Sequence, residues 1–163
     1  MIEATDSLPL RSLMAFLYLY GVRIGEALRM TKPDFKILKR GLTATIHIEK
    51  KRQTGPILNR HPLTVYSSPT NLYFMEVILT QLGMVSEGKI WHMNRRTVWR
   101  KIHRLNPQCS PHIFRHTRNR RLVDKGADAL VLMDWNGWSD TRPAANYLGL
   151  SGNTAKRFSS KID

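Results

Sequence analysis

Strand-like alternation is confined to one short part of this chain. From Leu42 to Glu49 the apolar residues Leu42, Ala44, Ile46 and Ile48 interleave with Thr43, Thr45, His47 and Glu49, the two-residue period of a half-buried strand. Apart from its return strand, apolar residues recur every three or four positions, as on a helix with one face in a core. So little strand cannot close into a barrel or build a large sheet. The pattern predicts an α+β, mainly helical fold with a small antiparallel sheet or hairpin. Lys50 to Gly55 reads as the polar turn, and Pro56 to Val65 contains the return strand. Pro62 interrupts that strand, because proline donates no ladder hydrogen bond.

The helices can be bounded by their stop and start residues. Residues 9–20 set Leu10, Leu13, Met14 and Leu17 on one face, with Pro9 in the first turn. A second short helix is predicted over 23–30, ending before Pro33. After Ser68 the chain reads as helical: 69–82 with Gly83 as the stop, then 94–105 capped by Asn94. Further helices run from Ser110-Pro111 to Lys125, from Asp128 to Asn136-Gly137, and briefly around Tyr147. The 163 residues contain no linker, repeat or low-complexity tract. They are expected to form one domain over 1–163, with 151–163 a basic C-terminal tail.

Charge narrows the partner. There are 26 Lys and Arg against 12 Asp and Glu, a net charge of +14. Between Asn94 and Lys125 stand ten of the basic residues against one acidic, Asp124. An excess this uneven points to a polyanion, since each neutralised phosphate releases a condensed counterion. Nucleic acid is the expected partner, ahead of an anionic membrane surface or plain solubility, with Arg95, Arg96, Arg100, Arg118, Arg120 and Arg121 as candidate contacts. No apolar run approaches the roughly 18 residues that span a bilayer, and the N-terminus lacks a signal-peptide pattern. The single Cys109 cannot form an internal disulfide. An intracellular protein without a membrane partner is expected.

Three strings carry the chemistry. Gly21-Val22-Arg23-Ile24-Gly25-Glu26 sets Glu26 three residues after Arg23, so the carboxylate can hold the guanidinium. Taken alone, such a string is more often a surface ion pair. Pro111-His112-Ile113-Phe114-Arg115 puts His112 and Arg115 on one helix face, with Ile113 and Phe114 turned to the core. Trp138 precedes Tyr147 by nine residues. Arginine grips phosphate bidentately and stays charged at any relevant pH. Histidine and lysine can move protons near neutrality. A tyrosine can attack phosphorus and conserve the energy of the broken ester.

In this order the strings resemble the catalytic domain of the tyrosine recombinases, the phage-integrase family, over about residues 7–150. The resemblance implies that Arg23 and Arg115 hold a scissile phosphate with Trp138 assisting. Trp138 stands where the family more often has histidine, and an indole donates a hydrogen bond but transfers no proton. Tyr147 then attacks to give a 3′-phosphotyrosine, and His112 takes the phenolic proton or positions the phosphate. A lysine in the hairpin turn protonates the leaving 5′ oxygen; Lys51 is the first candidate, Lys50 the second, and Arg52 a candidate off the pattern. The family continues the second string with small apolar residues, whereas here Arg118, Asn119, Arg120 and Arg121 follow. That departure predicts extra DNA-backbone contacts or a partner contact. The resemblance also implies double-stranded DNA as the partner, a tetramer on it, a cytoplasmic, nucleoid-associated setting without a small-molecule substrate, and a missing N-terminal core-binding domain. No metal or cofactor is expected, because clustered carboxylates and Cys/His ligand spacings are lacking. A type IB topoisomerase would use the same set, and a regulator that binds DNA without cutting would keep only the basic surface.

Overall fold

The computed structural model describes residues 1–48 and 60–149. In chain order these form α1 (Leu8–Tyr20), α2 (Ile24–Ala27), β1 (Phe35–Leu38), β2 (Gly41–His47), β3 (Arg60–Tyr66), α3 (Leu72–Met84), α4 (Arg95–Leu105), α5 (Pro111–Asp124), α6 (Ala129–Asn136) and α7 (Ala145–Leu148). They divide into two compact units, Met1–His116 and Thr117–Asp163, the second described to Gly149. The predicted mainly helical α+β class with a small antiparallel sheet is what the chain adopts.

In the first unit α1 is the centre. Its Leu10, Leu13, Met14, Phe16, Leu17, Leu19 and Tyr20 are all buried, so the helix is apolar around most of its girth, beyond the single face predicted. It packs chiefly against α3, with α2 and β3 also in contact. Phe16 stacks among Tyr20, Phe35 and Trp91, with centroids 4.7, 5.6 and 5.0 Å away. The polar atoms carried into this core are matched. The Tyr20 hydroxyl donates to the Leu42 carbonyl at 2.6 Å, and the Trp91 indole N–H donates to Ser12 Oγ at 2.9 Å. Each such bond, if one partner were removed, would leave a buried polar group costing about 1–3 kcal/mol.

The sheet is β1-β2-β3, antiparallel throughout. Central β2 buries Leu42, Ala44 and Ile46, as the alternation requires. Four local features depart from expectation. Pro62 does not interrupt β3 but pairs with Thr45 in continuous register, as an edge strand allows because a missing N–H there can face away from the ladder. Strand β1 was not anticipated: it has four residues, and its Ile37 is exposed, so no alternation marks it. Gly83 lies within α3 rather than ending it. The second short helix is also confined to Ile24–Ala27.

In the second unit Val123, Leu132 and Ala144 form the core, with Leu122, Trp138, Tyr147 and Leu148 packed against them. Two helix stops shape it. Gly126 and Gly137 take φ of 95° and 60°, the left-handed conformation that favours glycine after a helix. The Gly137 turn lets the Trp138 N–H donate to the Met133 carbonyl at 3.0 Å, so the chain reverses over α6. The Asp128 carboxylate caps α6 through the Val131 N–H at 2.8 Å, as predicted.

Candidate active site

Arg23 is held at both ends by one carboxylate. It sits in an extended conformation immediately before α2. Glu26, one turn later and 2% exposed, accepts the Arg23 backbone N–H through Oε2 at 2.7 Å. Its Oε1 accepts Arg23 Nη1–H at 3.0 Å. The guanidinium thus keeps one edge bound while its side chain remains 42% accessible. Gly21, with φ of 67°, ends α1 and directs the chain into this turn.

Arg115 is 4% exposed, and its Nη1–H donates to the Gly21 carbonyl at 2.9 Å. The buried guanidinium therefore grips the turn that presents Arg23. His112, on the same helix, has its pKa lowered. Withdrawal of the ring from water is the largest cause, followed by the positive charges of His116, Arg115 and Arg23. The imidazole is accordingly biased toward its neutral, proton-accepting form. Its ring meets His116 edge-on at 4.6 Å. Phe114 is buried as expected, but Ile113 is 40% exposed; the core at this helix takes one apolar neighbour of the pair.

Arg23 and His112 border a cleft of about 210 Å³ lined by Val22, Arg23, Ile24, Gly25, Arg95, Pro111 and His112. Among the described residues no carboxylate lines it, so its electrostatics suit an anion. In the second unit the Trp138 and Tyr147 rings stack at 6.2 Å and 18°, both resting on the Val123–Leu132–Ala144 core. Trp138 thereby packs against the ring of Tyr147. Trp135 lies 4.4 Å beneath the Arg118 guanidinium.

The structure brings Arg23, His112 and Arg115 together in the first unit, and Trp138 with Tyr147 in the second. Lys51, Lys50 and Arg52 lie outside the described residues. Of the candidate DNA contacts, Arg96, Arg100 and Arg120 are exposed, whereas Arg118 and Arg121 are half-buried. Asn119 is fully buried and accepts from Asn136 Nδ2 at 2.9 Å, so its place in the unusual Arg118–Arg121 string is internal.

Three features escaped the sequence reading. Arg95 borders the cleft rather than only the outer face of α4. Trp99 is 47% exposed and stacks on His103 at 4.7 Å. Because Val98 and Ile102 face the core, helical spacing alone could have placed Trp99 outside. His47 pairs with Asp34 at 2.8 Å. Burial works to raise the Asp34 pKa, but hydrogen bonds from His47 and Thr31 outweigh it and lower the value. No spacing rule links residues 13 apart in sequence.

A phage integrase family model matches residues 1–153. No curated protein matches the chain in sequence. Among solved structures, XerH site-specific recombinase bound to palindromic difH substrate, in a post-cleavage complex, has a TM-score of 0.74 at 14% identity. That match covers 98% of this chain and 49% of that one. XerA recombinase has a TM-score of 0.69 at 17% identity, with 99% and 59% covered. The catalytic domain of bacteriophage HP1 integrase has a TM-score of 0.63 at 16% identity, with 95% and 84% covered. The chain spans about half the length of the first of these. At such identities the likeness is one of fold.

Proposed function

The chain belongs to the phage integrase family, and we propose that it breaks and rejoins DNA strands in site-specific recombination or integration. The observation that carries the reading is the clustering of two anchored arginines about a histidine biased toward neutrality. Arg23 and Arg115 hold the non-bridging oxygens of one phosphodiester and offset the charge that grows on them in the pentacoordinate transition state. The Tyr147 oxygen attacks phosphorus. A bond to the tyrosine forms, the bond to the 5′ oxygen breaks, and the product is a 3′-phosphotyrosine.

The phenolic proton passes to His112, whose lowered pKa supports the accepting role. The 5′ oxygen receives its proton from Lys51. Trp138 donates an indole N–H to the phosphate and keeps Tyr147 stacked beside it. Rejoining runs the same steps backward with a different 5′-hydroxyl. No step transfers electrons, and each proton has a named donor and acceptor. The partner is double-stranded DNA, bound by four copies in a recombining assembly. The setting is the nucleoid of a cell that hosts a virus or mobile element. No described helix is long and apolar enough to cross a membrane.

The test uses nicked duplexes randomised around the nick, in which the short released strand diffuses away and traps the intermediate. Wild-type protein is expected to form a denaturant-resistant DNA adduct, and Tyr147→Phe to bind the same DNA without forming one. Adduct formation by Tyr147→Phe, or none by the wild type with any member of the pool, overturns the reading.

A further inference from the structure

We propose that Arg95 is a third phosphate-gripping guanidinium of the cleavage site, seated on Gly25 so that it meets the same phosphate as Arg23. The inference rests on the DNA-cleaving function proposed above and adds a catalytic residue to it. Arg95 is the first residue of α4, whose start is fixed by the Asn94 side chain accepting the Thr97 N–H at 2.8 Å. Its neighbours Arg96 and Arg100 are exposed on the same helix without bordering the cleft. Arg95 borders it together with Arg23 and His112.

Its guanidinium lies over α2 where Gly25 has no side chain. A Cβ built on Gly25 would stand 2.0 Å from Arg95 Nη2, 2.6 Å from Cζ and 2.8 Å from Nε. Three atoms of the guanidinium plane thus occupy the space that any other residue would fill. Glycine is a poor helix residue, and room for Arg95 gives it a reason here. Two guanidinium groups and an imidazole share one cleft whose described lining holds no carboxylate. An anion with several acceptor oxygens can take hydrogen bonds from both guanidinium groups at once, and a phosphodiester is the one this enzyme handles. Arg95 exchanges no proton and forms no covalent bond. It neutralises charge on a non-bridging oxygen as the Tyr147–phosphorus bond forms and the bond to the 5′ oxygen breaks.

The experiment measures single-turnover adduct formation by the full chain at saturating DNA, using adduct-forming members of the randomised nicked pool. Arg95→Ala is expected to slow the step about 10²-fold, the scale for losing one preorganised donor to transition-state charge, and Arg95→Lys to recover part of that loss. Gly25→Ala keeps the guanidinium but displaces it, so it should slow cleavage likewise, and the double variant should be no slower than Arg95→Ala alone. A methylphosphonate at the scissile position removes one charged oxygen. With it, Arg95→Ala and wild type should differ little. Unchanged cleavage by Arg95→Ala with only weakened binding would make Arg95 an ordinary backbone contact and overturn the proposal. So would relief by methylphosphonate at a neighbouring phosphate instead of the scissile one. Because Arg95 is exposed, its variants should keep the wild-type melting temperature and remain informative even if Gly25→Ala does not fold. Absence of any wild-type adduct defeats the cleavage function and this proposal together, whereas normal wild-type and Arg95→Ala rates defeat the Arg95 assignment alone.

Discussion

Replacing Glu26 by glutamine changes almost no volume but should loosen both the fold and the chemistry. The carboxylate accepts two hydrogen bonds from Arg23, at 2.7 and 3.0 Å, and is 2% exposed. The amide can accept only one of them, and its NH2 must face the other Arg23 donor. Removing one partner of a fully buried pair costs about 3–5 kcal/mol. Here the Arg23 side chain is 42% accessible, and solvent screening of its charge reduces the loss. About 1.5–3 kcal/mol is the expected cost, the range for a hydrogen bond to a charged group. In a chain of this size that should lower Tm by roughly 3–12 °C. Urea unfolding should show a lower midpoint with an unchanged m-value. Adduct formation at saturating DNA should slow by about 10²-fold, the effect of an arginine displaced by about 1 Å. A stability change below about 0.5 kcal/mol, the ordinary surface range, would refute the claim that this carboxylate organises the turn.

His112 has its pKa lowered from 6.5, so its neutral form persists below that pH, and the acidic limb of the cleavage rate should lie under 6.5. Its contribution to stability is full above that value and is lost as pH falls through the depressed one; a limb above 6.5 would contradict the partly desolvated, cation-flanked imidazole. With six to ten phosphate contacts, DNA affinity should fall by about 10³–10⁵ between roughly 50 and 200 mM salt. Neutralising exposed Arg96, Arg100 and Arg120 together should flatten the log–log slope by about 0.9 for each phosphate no longer neutralised, and an unchanged slope would leave those side chains in solvent. Lys51→Ala should cleave an ordinary phosphodiester about 10²–10⁴-fold more slowly yet recover with a 5′-bridging phosphorothiolate, whose sulfur leaves unprotonated. Rescue of Lys50→Ala instead would move the role by one residue.

How far the sequence carried the structure depends on the range of each interaction. The Arg23–Glu26 pair, the Asn94 and Asp128 caps and the Gly137 stop are contacts within one helical turn, where spacing is geometry. The buried face of β2 followed from alternation for the same reason. What escaped depends on partners distant in the chain. The bond from Arg115 to Gly21 spans 94 residues, and nothing local distinguishes a buried guanidinium from an exposed one in so basic a helix. Asn119 read as part of a charged surface string, yet it is buried against Asn136. The position of Arg95 follows from the missing side chain of Gly25, a residue seventy positions earlier. Strand β1 is too short and too exposed to carry a period.

The most direct test of the central claim is chemical identification of the DNA–protein bond. The trapped adduct would be digested with trypsin and nuclease, and the modified peptide mapped by fragmentation mass spectrometry. The expected result is one nucleotide attached through its 3′-phosphate to Tyr147, with a free 5′-hydroxyl on the released strand that a kinase labels without prior phosphatase. Linkage to any other residue, or a 5′-phosphoryl bond to protein, would contradict it.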